Sequence, residues 1–158
     1  MPHCNVSIYN RQKEIAIEFD VSSIQAVVDS VLVQENEEAH FLSVHFLSDR
    51  LMRKYHKKFF QDGSSTDCMS FPIDIDEPKA MPRALGDIFI CPKIALIRAK
   101  NNIALFWEEI TLYLVHSLLH LLGYEDTSPS LHKIMHTKEK NILCTLKESN
   151  TLISGDFH

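Results

Sequence analysis

Apolar residues recur along the first part of the chain with two different periods, and these periods predict strands and helices. Polar and apolar residues alternate over residues 5–9, which predicts a strand with one buried face. Over residues 21–33 the apolar positions follow a helical period, and Ser22 and Ser23 are its candidate caps. Residues 40–47 predict a second strand. Strands and helices therefore interleave from the start of the chain.

The same two periods continue through the rest of the chain. They predict strands at 68–73 and 86–91 around a proline-containing loop at 74–83, and helices at 92–100, 105–122 and 130–147. The helix at 105–122 is apolar nearly all round, so we expect it at the centre of the fold. Residues 149–158 are predicted to form a loose tail.

This order of elements predicts a sheet with helices packed on it. The chain has 158 residues, a length typical of one domain, which we assign to residues 1–148. Its 45% hydrophobic and 23% charged residues argue against wholesale disorder. The longest apolar stretch, residues 110–122, is shorter than the roughly 20 residues that a membrane span requires. We therefore expect no membrane partner.

The cysteines restrict the kinds of site that the chain can form. The four are far apart and include no Cys-x-x-Cys, which argues against a zinc ribbon or a thioredoxin-like motif. Residues 1–6 have no basic and apolar signal pattern, so we expect a cytoplasmic protein. Its thiols are then expected to be reduced and buried. They are Cys4, Cys68, Cys91 and Cys144.

Two histidines four residues apart, His116 and His120, give the strongest chemical signal. On a helix such side chains are neighbours, with Cβ atoms about 5–6 Å apart, and both can bind one ion. Gly123 permits a sharp exit from the helix, after which Asp126 can fold back. Two histidines and a carboxylate leave coordination positions open for water, which is typical of a catalytic rather than a structural site.

Chance is the competing explanation, because a chain with nine histidines readily contains a pair with this spacing. A second pair, His132 and His136, is indeed present, but no glycine turn follows it. We interpret that pair mainly as a solvated helix face, with an approach of either histidine to the metal as the lesser alternative. The turn and the following acid favour the first pair as the metal site.

Ser117 argues against a zinc peptidase, another activity found with two histidines at this spacing. In peptidases with the sequence His-Glu-x-x-His, the residue after the first histidine is the general base. A serine hydroxyl cannot serve as that base near neutral pH.

Three segments resemble those of one known family in their order and spacing. They are Thr-Asp-Cys-Met-Ser-Phe-Pro at 66–72, Leu-Gly-Asp-Ile at 85–88 and His-Ser-Leu-Leu-His-Leu-Leu-Gly-Tyr-Glu-Asp at 116–126. On these segments the chain is similar to the YbeY family of bacterial endoribonucleases, which are rRNA maturation factors. The similarity extends from about residue 5 to about residue 148.

The resemblance implies a zincin-like α+β fold, with one zinc ion on three ligands at the C-terminal end of a central helix. It also implies single-strand-specific RNA cleavage, in 16S rRNA 3′-end maturation and ribosome quality control. The expected partners are single-stranded RNA or rRNA and the ribosome or small-subunit proteins. His116 and His120 match the first two ligands. Asp126 stands at the third, where the family has histidine, and Glu125 is the rival ligand.

The chain departs from the family at two further positions. Ser117 replaces a glycine. Phe60 stands where the family typically has an arginine that is implicated in activity, and the cations that can replace this arginine are Lys57, Lys58 and Arg53.

A basic stripe on the predicted helix at 48–60 is the best candidate for RNA binding. It consists of Arg50, Arg53, Lys54, Lys57 and Lys58. The chain has a net charge of −5, so attraction to phosphate needs such a local surface. A solvated helix face is an equal alternative. Tyr55, Phe59 and Phe60 lie beside the stripe, where an exposed one would stack an unpaired base, although we expect Tyr55 and Phe59 in the core.

Together these features predict metal-assisted hydrolysis of phosphodiester bonds. The general base is unassigned. Asp67 and Asp87 are candidates, but acids in turns more often serve as structural caps. The alternative function is a non-catalytic rRNA- or ribosome-binding assembly factor with structural zinc. Phe60 and Asp126, which differ from the family residues, favour this alternative.

Overall fold

Four strands form the main sheet in a computed structural model that describes residues 3–73 and 81–158. The predicted loop at 74–83 lies mostly outside these residues. The elements are β1 (Asn5–Asn10), β2 (Ile17–Phe19), α1 (Val21–Gln34), β3 (Phe41–Phe46), α2 (Asp49–Phe60), β4 (Cys68–Pro72), β5 (Ala84–Ile90), α3 (Pro92–Arg98), α4 (Ile103–Leu121), α5 (Pro129–Glu148) and β6 (Gly155–Phe157). The helices and long strands predicted from the sequence are confirmed within a few residues.

The main sheet has the strand order β1-β3-β5-β4 and is mixed. Strands β1, β3 and β5 are parallel, whereas β4 runs antiparallel to β5 and forms one edge. This sheet, with helices packed around it, confirms the predicted α+β fold. The exposed side of an edge strand carries unpaired backbone N–H and C=O groups, which matters here because β4 borders the candidate site.

Side chains on the two faces of the sheet pack into two separate clusters. Ile88 and Ile90 of β5 join the main core, to which α1, α4 and α5 contribute. Phe89, between them, points to the other face and joins a smaller cluster with Met52 of α2. The sheet therefore separates α2 from α4, and only the β4 edge lets the two helices border one cleft.

Helix α4 is the central helix that the sequence predicts. Ten of its 19 residues are buried, and it contacts β4, β5 and three other helices. Such a helix is fixed on most of its surface, so side chains at its C-terminal end are held in defined positions.

The cap of α1 differs from the prediction. Asp20, rather than Ser22 or Ser23, is the N-cap residue, and its Oδ1 accepts hydrogen bonds from the backbone N–H and the hydroxyl of Ser22. Helix α2 begins after its N-cap residue Ser48, whose hydroxyl accepts a hydrogen bond from the N–H of Leu51.

Residues near the C-terminus are ordered, which differs from the loose tail expected for 149–158. Strand β6 pairs antiparallel with β2, and Ile153 is buried in the main core with 1% exposure. The N–H of Ile153 donates to Oγ1 of Thr111 on α4 at 3.0 Å. The sequence analysis missed this strand because β2 and β6 have three residues each, too few for a readable period.

Two other sequence expectations about burial are wrong. Cys144 is exposed on α5, whereas Cys4 and Cys91 are buried as expected. Phe59 was expected in the core but is 48% exposed, because it lies near the end of α2 and packs only its inner side against Tyr55 and Phe71. Within the described residues, no helix is both long and apolar enough to cross a bilayer.

Replacing Ile153 tests whether the C-terminal segment is part of the core. We expect Ile153→Ala to lower the free energy of unfolding by about 2–4 kcal/mol, because it leaves a cavity in a packed core. Urea unfolding followed by circular dichroism measures the change. Ile134→Ala, at a position 56% exposed on α5, is the control and should stay within about 0.5 kcal/mol. Equal stability of the two variants would contradict the packing of this segment.

Candidate metal centre

The imidazoles of His116 and His120 lie side by side near the C-terminal end of α4. Their spacing of four residues places them on the same face of the helix, and their Nε2 atoms are 3.2 Å apart. The rings are nearly perpendicular, with an interplanar angle of 82°. Both side chains are about one-third exposed, at 34% and 27%, so solvent reaches them.

The turn after α4 brings the third side chain back toward the two histidines. Gly123 adopts a φ of +108°, in the range that favours glycine. The N–H of Gly123 donates to the carbonyl of His120, and the N–H of Tyr124 donates to the carbonyl of Leu119. This pair of hydrogen bonds is the Schellman motif. The reversed chain then places Oδ2 of Asp126 at 3.5 Å from Nε2 of His120.

The three side chains have the spacing that one metal ion requires. One ligand atom each from His116, His120 and Asp126 lies within 4.8 Å of the others. In a tetrahedral site with bonds of about 2.1 Å, neighbouring ligand atoms are about 3.4 Å apart. The measured contacts of 3.2 and 3.5 Å agree with that separation. The residues therefore fit a cation held by two nitrogens and one oxygen.

Hydrogen bonds behind the histidines determine which ring nitrogen carries the proton. Nδ1 of His116 is 2.7 Å from Oε2 of Glu139, and Nδ1 of His120 is 3.0 Å from the carbonyl oxygen of Tyr124. Because carboxylates and carbonyls only accept, each neutral ring holds its hydrogen on Nδ1. Both Nε2 lone pairs then face the space where a cation would lie, which is the arrangement usual for metal-bound histidines.

Glu139 also changes the electrostatics of the site. Its hydrogen bond, opposed by burial, raises the pKa of His116. Only 9% of Glu139 is exposed, although it lies on a mostly polar helix.

Glu139 was not predicted as a site residue, although the sequence does contain a signal for it. On α5 the buried positions are 135, 139, 142 and 146, which follow one helical stripe. An acid inside an apolar stripe is rarely buried without a partner, so Glu139 could have been marked as a functional residue.

The turn itself is tied to α1 by a second buried contact. The hydroxyl of Tyr124 donates to Oε1 of Glu35, and burial together with this carboxylate raises the pKa of Tyr124 to about 12. Nζ of Lys138 lies 3.4 Å from the other oxygen of Glu35. These contacts fix the segment from which Asp126 extends.

An open cleft of about 420 Å³ gives access to the histidines. One wall is α4 with His116 and His120, and the floor is the edge strand β4. The opposite wall is the end of α2, with His56 and Phe60. The cleft is therefore in the size range of about 300–1,000 Å³ that is usual for small-molecule sites.

The two candidate bases lie in different places. Asp67 borders a smaller cavity beside His116 and Glu139, and its carboxylate is paired with the guanidinium of Arg98. Asp87 instead faces the α2 side of the sheet, where its Oδ1 is 3.3 Å from Nε2 of His45. Only Asp67 is thus near the candidate metal centre.

Other predicted candidates lie outside the ligand group among the described residues. Glu125 is exposed and lines the cleft, but the ligand group contains Asp126 instead. His132 and His136 are exposed on α5 with stacked rings and do not join the group either. Ser117 is buried, with 1% exposure, and hydrogen bonds to the Cys68 thiol, whose pKa is raised mainly by burial.

All five residues of the basic stripe are exposed on α2. Four of them border a shallow groove together with Lys93, and the fifth, Lys58, has its Nζ 5.3 Å from the centre of the Phe59 ring. Arg53 also has partners within the protein. Its Nε is 3.1 Å from Oδ2 of Asp49, an ion pair, and donates a hydrogen bond to Oγ of Ser65 at 3.0 Å.

Comparison with known proteins yields one family. A sequence model described as Endoribonuclease YbeY matches residues 7–147. Proteins named Endoribonuclease YbeY from Chlamydia abortus and Chlamydia felis are 38% identical over 153 residues and 37% identical over 152, each covering 94% of this chain and 95% of the relative. The solution structure of TM1509 from Thermotoga maritima is similar in fold, with a TM-score of 0.55 and 17% identity over 93% of this chain and 95% of that one.

Neutralising Glu139 tests whether its contact supports cation binding by His116. We expect Glu139→Gln to weaken Zn²⁺ binding about 10- to 100-fold, because the neutral amide lacks the negative charge that makes the imidazole of His116 a more basic ligand. Isothermal titration calorimetry of metal-stripped protein measures the affinity. Glu125→Gln, beside the cleft, is the matched control and should bind nearly as well as the unaltered protein. A larger loss with Glu125→Gln than with Glu139→Gln would contradict this assignment and make Glu125 the better ligand candidate.

Proposed function

This chain belongs to the YbeY family of endoribonucleases, and from that premise we propose that it is a metal-dependent endoribonuclease. Its substrate would be single-stranded RNA and its reaction the hydrolysis of a phosphodiester bond. The observation that carries the proposal is the convergence of two imidazoles and one carboxylate beside a cleft that solvent can enter.

We propose Zn²⁺ as the ion, with Nε2 of His116, Nε2 of His120 and the Asp126 carboxylate as its ligands. When bound, such an ion polarises a phosphate oxygen and makes water more acidic. The ligand spacing given above supports zinc, but two histidines and an aspartate also suit iron, nickel or manganese. A test therefore has to compare these metals.

The protein itself would bind and orient the RNA backbone. The exposed cations of α2 offer charge to the phosphates, and the free edge of β4 offers backbone N–H donors along the floor of the cleft. Because α2 and β4 border the same cleft as His116, a strand bound along them would bring a phosphate to the ligand group.

We assign Asp67 an electrostatic effect rather than proton transfer. Its carboxylate is engaged by Arg98, so it is not available as a free base, but its negative charge contributes to the raised pKa of His116. We assign Asp87 no role in the reaction, because its carboxylate contacts His45 on the other face of the sheet.

The family relationship further supports a place in ribosome maturation. We propose that the substrate is ribosomal RNA, at the 3′ end of 16S rRNA, and that the ribosome or small-subunit proteins are its partners. We propose that this RNA processing takes place in the cytoplasm, where thiols stay reduced, as expected from the sequence.

A non-catalytic RNA-binding assembly factor is the second candidate function. It is favoured by Phe60, a hydrophobic residue on the wall of the cleft at the position where the resemblance leads us to expect an arginine. In that case the ion would be structural, and the protein would bind RNA without cleaving it.

Incubation with RNA tests the proposed activity. We expect metal-loaded protein to cleave an unstructured single strand but not the matching duplex, and His116→Ala to be more than about 100-fold slower, because it lacks one ligand. Gel electrophoresis of end-labelled RNA measures the rate for zinc, iron, nickel and manganese in turn. His132→Ala, from the exposed histidine pair, is the matched control and should cleave normally.

Three outcomes would contradict the nuclease proposal. Cleavage that survives both a chelator and His116→Ala would come from another site or a contaminant. RNA binding without cleavage under every metal would favour the assembly factor. Digestion of casein would instead indicate a zinc peptidase.

The basic stripe is tested by neutralising Lys54 and Lys57, which border its groove. We expect Lys54→Gln with Lys57→Gln to weaken RNA binding and to reduce the salt slope of log K by about 0.7 for each lost phosphate contact. Fluorescence anisotropy at several salt concentrations gives both quantities. Lys133→Gln with Lys140→Gln, exposed on α5, is the control of equal charge. An unchanged slope in the α2 variant would show that RNA binds elsewhere.

A further inference from the structure

We propose that Phe60 is a stacking platform for one unpaired nucleobase of the RNA, on the wall of the cleft opposite His116 and His120. This inference rests on the proposed function for its ligand class, and it adds a binding site to that function. The observation behind it is the position of an aromatic ring, half exposed, in the same cleft as the candidate metal ligands.

The end of α2 directs Phe60 into the cleft. His56 and Phe60 are four residues apart, so they share one face of the helix, and both line the cleft. The helix ends immediately after Phe60, because Gln61 adopts a left-handed conformation with φ of 54°. The ring therefore stands at the last turn of α2, with 51% of the residue exposed.

Neighbouring rings hold Phe60 in place from the protein side. Its centroid is 6.0 Å from that of Phe71 and 5.7 Å from that of His56. His56 is itself fixed by a hydrogen bond from Nδ1 to the carbonyl oxygen of Ser64 at 3.0 Å. A ring supported in this way offers stacking area at a small cost in side-chain entropy.

Basic side chains lie on the same helix as Phe60 and favour a nucleotide as its ligand. Lys57 lies one turn earlier on α2, and the rest of the basic stripe continues along the same helix. An RNA strand that extends from a base on Phe60 along α2 would meet these cations, which line a neighbouring groove, with its phosphates. Polar side chains of the cleft, Thr66 and Ser70 among them, surround the ring with hydrogen-bonding groups.

Phe59 shows why exposure alone does not make such a platform. It is 48% exposed, close to the value for Phe60, and it also contacts Phe71. However, it does not line the cleft that contains His116. The two adjacent phenylalanines therefore form a matched pair that differs mainly in access to the candidate metal centre.

An RNA-binding measurement on protein that cannot cleave tests the stacking platform independently of catalysis. The probe is a short oligouridylate with a single 2-aminopurine, titrated with metal-stripped protein and followed by anisotropy and by 2-aminopurine fluorescence. We expect Phe60→Ala to weaken binding about 5- to 100-fold and to abolish the fluorescence quenching that stacking causes. Phe60→Trp should bind at least as well as the unaltered protein, and Phe59→Ala should bind normally.

A second probe, the same backbone without bases, separates stacking from other contacts. We expect Phe60→Ala to bind this abasic strand as well as the unaltered protein does, since no base remains to stack. Equal losses on both probes, or equal effects of Phe59→Ala and Phe60→Ala, would overturn the inference. Quenching by a protein that never cleaves RNA would support the platform while contradicting the proposed nuclease activity, so the two proposals fail separately.

Discussion

The close approach of two imidazole nitrogens is the constraint on which the candidate site depends. Nε2 of His116 and Nε2 of His120 are 3.2 Å apart, and the acceptors behind both rings keep their hydrogens on Nδ1. Two lone pairs facing each other repel, so this geometry is stabilised by a metal ion, or by a proton that one ring donates to the other. The rigid central helix, the buried Glu139 and the turn after Gly123 together maintain the arrangement.

Different helices and strands of the fold contribute the different parts of the site. Helix α4 sets the spacing of the histidines, whereas α5 provides the carboxylate behind one of them. The mixed sheet contributes in another way, because β4 is its edge strand within the described residues and contacts α4. Helix α2, on the far face of the sheet, reaches the site only around that edge. The candidate ligands and the end of α2 therefore line one cleft, whereas the basic residues of α2 line a separate groove.

Local patterns allowed the sequence analysis to find α4, the histidine pair and the turn at Gly123, because each depends on residues within one or two turns of helix. Glu139 was not predicted. It lies 23 positions from His116, and the two residues meet because two helices pack together, which no periodicity of the sequence specifies. Strand β6 was missed for a similar reason, since its pairing with β2 joins opposite ends of the chain. Phe60 is half exposed because α2 ends at this residue, beside the edge of the sheet.

The contact between Tyr124 and Glu35 has a consequence for how the site responds to loss of its ion. Glu35 follows α1, Tyr124 follows α4 and Lys138 belongs to α5, so one buried carboxylate joins three helices beside the ligand loop. These links do not involve the three candidate ligands, and none of those ligands belongs to the large core beneath them. The site is thus preorganised, unlike a zinc finger, whose chain unfolds in its apo form. We therefore expect loss of the ion to leave the hydrophobic core of this protein intact.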